Sequence, residues 1–127
     1  MMASHTILIV EDEPKISELL KMEFEQAGYR VVTALTGTKA LAYLTEHQPS
    51  MVLLDVRLPD MSGHEVCKTL RARYDSWSVP VLMLTAMDQP IDQLRGFAFG
   101  ADVYMTKPFN LTEVLETAQK LLVDVDV

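Results

Sequence analysis

A chain of 127 residues, 49% hydrophobic and 23% charged, can bury one real core and is too apolar to be disordered, so a single globular domain is expected. A net charge of −7 sets it against phosphate backbones, which excludes direct nucleic-acid binding as a first reading. The single cysteine, Cys67, rules out an internal disulfide, and no apolar stretch approaches the roughly 20 residues that span a bilayer.

The opening MMASH lacks the basic and long apolar regions of a signal peptide. Residues 1–5 read as a disordered lead-in or expression remnant, and the chain as cytoplasmic. Ile7 to Val10 is then a continuous aliphatic run, the texture of a parallel strand covered on both faces, and it ends in Glu11, Asp12 and Glu13. Pro14 suits a first helical turn, and Ile16, Leu19, Leu20, Phe24 and Ala27 form one helical stripe closed by Gly28. Tyr29 to Ala34 is more polar, as expected of a strand near a sheet edge. Ala40, Leu41 and Leu44 mark a second helix that ends before Pro49.

Met51 to Asp55 is another aliphatic run, with the aspartate last. Ser62 to Glu65 (SGHE) has the pattern of a capping box and leads into Val66, Cys67, Leu70 and Tyr74. Val79 to Thr85 is a fourth strand, and Ile91, Leu94 and Phe97 space a fourth helix that Gly100 stops. Ala101 to Thr106 is a fifth strand, followed by Lys107 and Pro108. Asn110 with Glu113 opens a fifth helix carrying Leu111, Val114, Leu115, Ala118, Leu121 and Leu122. The closing residues 124–127 read as a tail or the start of a linker.

A strand–helix unit repeated five times predicts a parallel sheet with helices on both faces. Right-handed crossovers leave few topologies, and the leading one at this size is a single doubly wound (βα)5 flavodoxin-like domain over residues 6–123, with strand order 2-1-3-4-5. In such sheets ligands bind beyond the carboxyl ends of the strands, at the switch point of the strand order. The residues at those ends are Glu11 and Asp12, Asp55, Thr85 and Lys107; strand 2 ends in nothing reactive. Three carboxylates from two adjacent strands make a hard-oxygen site suited to Mg²⁺. Taken singly, each of these residues is more simply a solvated turn or a strand-end polar group; the five-part pattern is what carries weight. His5, His47 and His64 read as surface residues, Cys67 as core, and Trp77 as packing locally in its loop.

Together, ILIVEDEP, LLDVRLPDMSG, VLMLTA and GADVYMTKPF resemble the receiver domain of two-component response regulators, and the resemblance runs from about Thr6 to Leu122. It implies that Asp55 is the nucleophile that takes a phosphoryl group from a phosphohistidine on a sensor histidine kinase or histidine phosphotransfer protein. It also implies a Mg²⁺ cofactor held by Glu11, Asp12, Asp55 and the main-chain carbonyl of Arg57. Lys107 would pair with Asp55, Thr85 and Ala86 would hold the phosphoryl group, and Tyr104 would be the aromatic switch. Pro59 and Gly63 would shape the loop after Asp55, and Pro108 would follow a cis peptide. The face of helix 4, strand 5 and helix 5 would then act on an effector domain or protein, or form a homodimer on phosphorylation.

Two departures bear on that dimer. Val103 stands where transcription-factor receivers commonly carry a second acid (Gly-Ala-Asp-Asp-Tyr), and helix 5 lacks the usual arginine; only Arg95 and Asp102 of the charged network survive. Met87, Phe99 and Met105 lie on or near the same face and mark either another partner surface or core packing. Two rivals are weaker. A haloacid-dehalogenase phosphatase needs a second aspartate two residues after the first, where this chain has Arg57. A degenerate receiver that only binds protein would be expected to have lost Asp55, Lys107 or the acid pair, and all are present.

Overall fold

In a computed structural model that describes residues 4–126, strands and helices alternate along the chain. They are β1 Thr6–Val10, α1 Pro14–Gln26, β2 Arg30–Ala34, α2 Gly37–Glu46 and β3 Met51–Leu54. After them come α3 Gly63–Arg73, β4 Val81–Thr85, α4 Pro90–Ala98, β5 Val103–Thr106 and α5 Leu111–Asp126. All neighbouring strands are parallel, in the order β2-β1-β3-β4-β5, as expected from the repeat. Most of the lead-in expected over residues 1–5 lies outside the described residues. Of the tail or linker start expected at 124–127, the backbone is helical as far as Asp126, and residue 127 lies outside the described residues.

Alternation along each strand divides the core into two layers. Ile7, Ile9, Met51, Leu53, Leu82 and Leu84 face Leu20 and Phe24 of α1 and Val114, Ala118 and Leu122 of α5. Leu8, Val10, Val52, Leu54, Val81 and Met83 face Ala40 and Leu44 of α2 and Val66, Cys67 and Leu70 of α3. Both faces are covered, which is why the central strands read as unbroken aliphatic runs. Each fully buried aliphatic side chain contributes about 1.5–3 kcal/mol.

Helix starts follow the polar residues that precede them. Thr36 accepts from the Lys39 amide, Asn110 from the Glu113 amide, and Ser62 from the amide of His64 rather than of Glu65. Gly28 and Gly100 follow α1 and α4 at φ +99° and +112°, the left-handed conformation that closes a helix and that glycine alone adopts cheaply.

Some expectations fail on particular residues. Leu19, placed on the core stripe of α1, is exposed, because Ser17, Leu20 and Phe24 make the buried face. Trp77, expected to pack locally, is 76% exposed in the loop before β4. The three residues that mark α4 also face outward: Ile91 is 51%, Leu94 65% and Phe97 47% exposed. Asp92 and Gly96 form its buried side instead.

His64 is half-buried rather than a surface residue. Its ring stacks on Phe99 at 4.8 Å, and its Nε2 is shut away from water without a partner. Burial holds its pKa below the usual histidine value, and nearby Arg95 adds to that against Asp92. Phe99 therefore belongs to the α3 side of α4. Met87 and Met105 pack against the two core layers.

Candidate functional site

The carboxyl ends of β1 and β3 bring three acids to one edge of the sheet. Glu11 is 2% and Asp55 5% exposed, and Glu11, Asp12 and Asp55 each offer an oxygen within 4.8 Å of the others. Backbone register aligns these ends: the Glu11 amide donates to Ala34 O and the Asp55 amide to Val10 O. Lys107 arrives from β5, its amide donating to Thr85 O (2.9 Å), and the Lys107–Pro108 peptide is cis.

The ammonium of Lys107 lies between two of the acids. Its Nζ is 2.6 Å from Glu11 Oε1 and 2.8 Å from Asp55 Oδ2. The other oxygens are also held: Glu11 Oε2 accepts from the Glu13 amide (3.1 Å) and Asp55 Oδ1 from the Arg57 amide (3.0 Å). Burial pushes the Glu11 carboxyl up, against the opposing pull of Lys107 and the Glu13 amide. Burial also works against the charge on Lys107, but its bonds to Asp55 and Glu11 outweigh this and leave its pKa above the usual lysine value. The pair to Glu11 was not foreseen from the sequence, since both residues had been assigned other partners.

Oxygen ligands from Glu11, Asp12 and Asp55, with one ammonium for three carboxylates, leave uncompensated negative charge on hard donors. That chemistry fits a divalent cation such as Mg²⁺. Glu13, the last of the acid run, is the N-cap residue of α1. Its side chain makes no cap bond, and its contribution to the site is its amide.

The loop after Asp55 folds back tightly. A Cβ on Gly63 would stand 2.1 Å from the Asp55 carbonyl oxygen, so no other residue fits there without displacing the backbone that carries Asp55. The Gly63 amide donates to Val56 O (2.7 Å), and Arg57 bridges to Ser62. Exposed Pro59 lies within this loop.

A residue that sequence reasoning missed ties the loop down from outside. The Asp60 carboxylate accepts from the amides of Gly37 (2.9 Å) and Thr38 (2.8 Å) and from the Thr38 hydroxyl, at the start of α2. These bonds, the Thr38 ones foremost, hold its carboxyl at about 2. Nothing in the sequence signals a contact across 22 residues between a loop and the start of a helix.

Thr85 and Tyr104 come to one place on β4 and β5. Thr85 is fully buried; its Oγ1 accepts from the Met87 amide at 3.4 Å, and the Tyr104 hydroxyl donates to the Met87 carbonyl at 2.7 Å. Burial, with help from Asp92, Asp55 and Asp88, pushes the Tyr104 phenol up to about 12. Ala86 is exposed next to Thr85. Asp102 lies elsewhere: its Oδ2 binds Arg71 Nη2 (2.8 Å) and the Val81 amide (2.7 Å). That oxygen is engaged inside the domain.

A buried aspartate paired to a strand-end lysine beside two further acids, on this sheet order, defines a class of signalling domain. The family model of the response regulator receiver domain matches residues 7–119, and the chain belongs to that family. It is 44% identical over 116 residues to the DNA-binding dual master transcriptional regulator RpaA of Synechocystis, covering 91% of this chain and 48% of that protein. It is equally identical over the same length to the alkaline phosphatase synthesis transcriptional regulatory protein PhoP of Bacillus subtilis, again covering 91% and 48%. The chain thus spans about half the length of these curated relatives.

Among solved structures, a CheY-like receiver domain protein from Methanospirillum hungatei superposes with a TM-score of 0.92 at 28% identity, covering 98% of both chains. The BeF3-activated DrrB receiver domain superposes at 0.88 with 34% identity, covering 95% of this chain and 99% of that one. Among the described residues, no helix is long and apolar enough to cross a membrane.

Proposed function

We propose that this domain accepts a phosphoryl group on Asp55 from a phosphohistidine of a sensor histidine kinase or histidine phosphotransfer protein, and relays that state to an effector domain or protein. The observation that carries this reading is the position of Lys107 Nζ, in contact with both Asp55 and Glu11 while Asp12 stands within reach of the same oxygens.

An Asp55 oxygen attacks phosphorus, the bond from phosphorus to the histidine nitrogen breaks, and an acyl phosphate forms on Asp55. Such a transfer needs positioning and charge neutralisation more than a protein acid or base. Glu11, Asp12, Asp55 and the Arg57 carbonyl would hold Mg²⁺, which supplies positive charge beside the phosphoryl oxygens when bound. Lys107, in contact with Asp55 Oδ2, offsets the negative charge there and then follows it onto the phosphoryl group. Thr85 donates its hydroxyl to that group, with the Ala86 amide beside it.

Once Thr85 turns to the phosphoryl group, its bond to the Met87 amide is released, and Tyr104 senses this through the Met87 carbonyl. The α4–β5–α5 face carries the result outward. Exposed Ile91, Leu94 and Phe97 give it apolar contact area for a partner, including a second copy formed on phosphorylation.

Mass spectrometry after acetyl phosphate and Mg²⁺ tests the reading. A phosphoryl adduct is expected on the wild type and not on Asp55→Asn; no wild-type adduct, or an unchanged one in the variant, overturns it. Within the acid run, Asp12→Asn should weaken Mg²⁺ binding and adduct formation, whereas Glu13→Gln should leave both nearly unchanged, because Glu13 contributes its backbone amide. Equal losses would show that the acids had been divided wrongly.

A further inference from the structure

Helix α4 has a position on its inner side where a side chain has no room. A Cβ placed on Gly96 would lie 2.8 Å from Cδ2 and 3.0 Å from Cε2 of Tyr104, and 3.0 Å from Sδ of Met83. Gly96 has no positive φ to explain it. Glycine in a helix interior is the poorest choice after proline, so its presence there calls for a packing reason. The Tyr104 ring supplies one. It fills the space beneath Gly96 while its hydroxyl reaches the Met87 carbonyl. Met83 is fully buried, and its sulfur has little room to retreat in a close-packed core.

The ring, by contrast, has somewhere to go. A groove of about 440 Å³ opens beside Tyr104, lined also by Gln93, Met105, Thr106, Phe109 and Glu113, and Gly96 is not part of its wall.

We propose that Gly96 is a positioning residue of the switch: its missing side chain seats Tyr104 inward against Met87, and any side chain there drives the ring into the adjoining groove. The inference rests on the reading of Tyr104 as the element that reports phosphorylation. An outward ring no longer bonds the Met87 carbonyl, so the loop between β4 and α4 loses its link to β5. Phosphoryl acceptance at Asp55 does not pass through Gly96 and continues.

The test uses the full chain labelled with 3-fluorotyrosine, the Tyr104 fluorine signal being assigned by its loss in Tyr104→Phe. In wild type that fluorine should be shielded from solvent and should shift on addition of beryllofluoride with Mg²⁺. In Gly96→Ala it should show a larger H₂O/D₂O isotope shift and cease to respond to beryllofluoride, while acetyl phosphate still labels Asp55. In thermal melts, Gly96→Ala should lower Tm in the presence of Tyr104 and lower it clearly less, or raise it, in a Tyr104→Ala background, where the ring is gone, Met83 gains room to shift and alanine favours the helix.

An unchanged Tyr104 signal in Gly96→Ala, or the same Tm change in both backgrounds, overturns the proposal. If Gly96→Ala folds only when Tyr104 is also Ala, the proposal stands; if neither folds, it falls. Failure of wild type to take a phosphoryl group would instead defeat the functional reading, while the isotope shift in the unphosphorylated chain would still decide the seat.

Discussion

Helices α4 and α5 flank the same edge strand, and both announce themselves in the sequence as apolar stripes. They are held in opposite ways. α5 buries Val114, Ala118 and Leu122 to within 2% of full burial, in one layer with Phe24 and the inner side chains of β1, β3 and β4. α4 turns Ile91, Leu94 and Phe97 to solvent and buries an aspartate and a glycine. Mid-helix it packs through Gly96 on Tyr104 and Met83, and its polar attachments lie at its ends. The Tyr104 hydroxyl meets the Met87 carbonyl just before the start; Cys67 Sγ reaches Phe99 O and Arg71 Nε reaches Gly100 O at the finish. Apolar burial is lost gradually and everywhere when a helix moves, whereas a few end contacts can exchange as a set. A helix attached as α4 is belongs to the low-stability end of the structure, from which moving elements are drawn.

The contrast breaks first, and most expensively, on the α5 side. Leu122→Ala should lower stability by about 2–5 kcal/mol in chemical denaturation, because it removes core volume that the neighbouring strands cannot refill. A loss below about 1 kcal/mol would mean that α5 is no more firmly attached than α4.

Arg71→Ala tests the other mode of attachment. That guanidinium donates to the carbonyls of Gly100 (2.9 Å) and Val79 (2.6 Å) and pairs with Asp102 (2.8 Å). Its removal leaves those acceptors and a half-buried carboxylate without it, for a loss of about 2–3 kcal/mol. The stability loss should come with faster amide exchange at Gly100 and Ala101, which an unanchored α4 end requires.

The same contrast governs what could be read from the sequence. The strand runs and their terminal residues were legible because burial on both faces leaves a continuous apolar signature, and a parallel sheet collects its strand ends at one edge. Hence Glu11, Asp12, Asp55, Thr85 and Lys107 read as one set at that edge from the sequence alone. Which way a short helix turns was not legible. Periodicity marks a stripe at Ile91, Leu94 and Phe97 but carries no sign for inward or outward, and in α4 Gly96 and Tyr104 decide it. Contacts that join a loop to a distant helix through polar atoms, such as Asp60 to Gly37 and Thr38 or Arg71 to Gly100, leave no periodic trace either.

Alkaline titration sharpens the account of the polar side. Tyr104 keeps its proton in the folded chain to about 12, against an ordinary value of 10.0. Between those limits the unfolded chain binds fewer protons than the folded one, so stability falls as pH rises through that window. Tyr104→Phe should fall less steeply over the same range. The slope that persists belongs to Lys107 and Tyr43, whose values are also raised. An identical slope in both proteins would mean that the phenol is not held as its burial near Asp92, Asp55 and Asp88 implies.

The smallest effect is expected where the sequence pattern is strongest. Leu94 is 65% exposed in the middle of the α4 stripe. Leucine and glutamine have similar helix propensities, so Leu94→Gln should change stability by less than about 0.5 kcal/mol, whereas the same exchange at Leu122 would bury an amide without a partner. A loss at Leu94 approaching that at Leu122 would place the stripe in the core and reverse the orientation of α4. Near-neutral stability, combined with weaker association to whatever partner the phosphorylated domain engages, would instead identify Leu94 as surface kept apolar for contact rather than for folding.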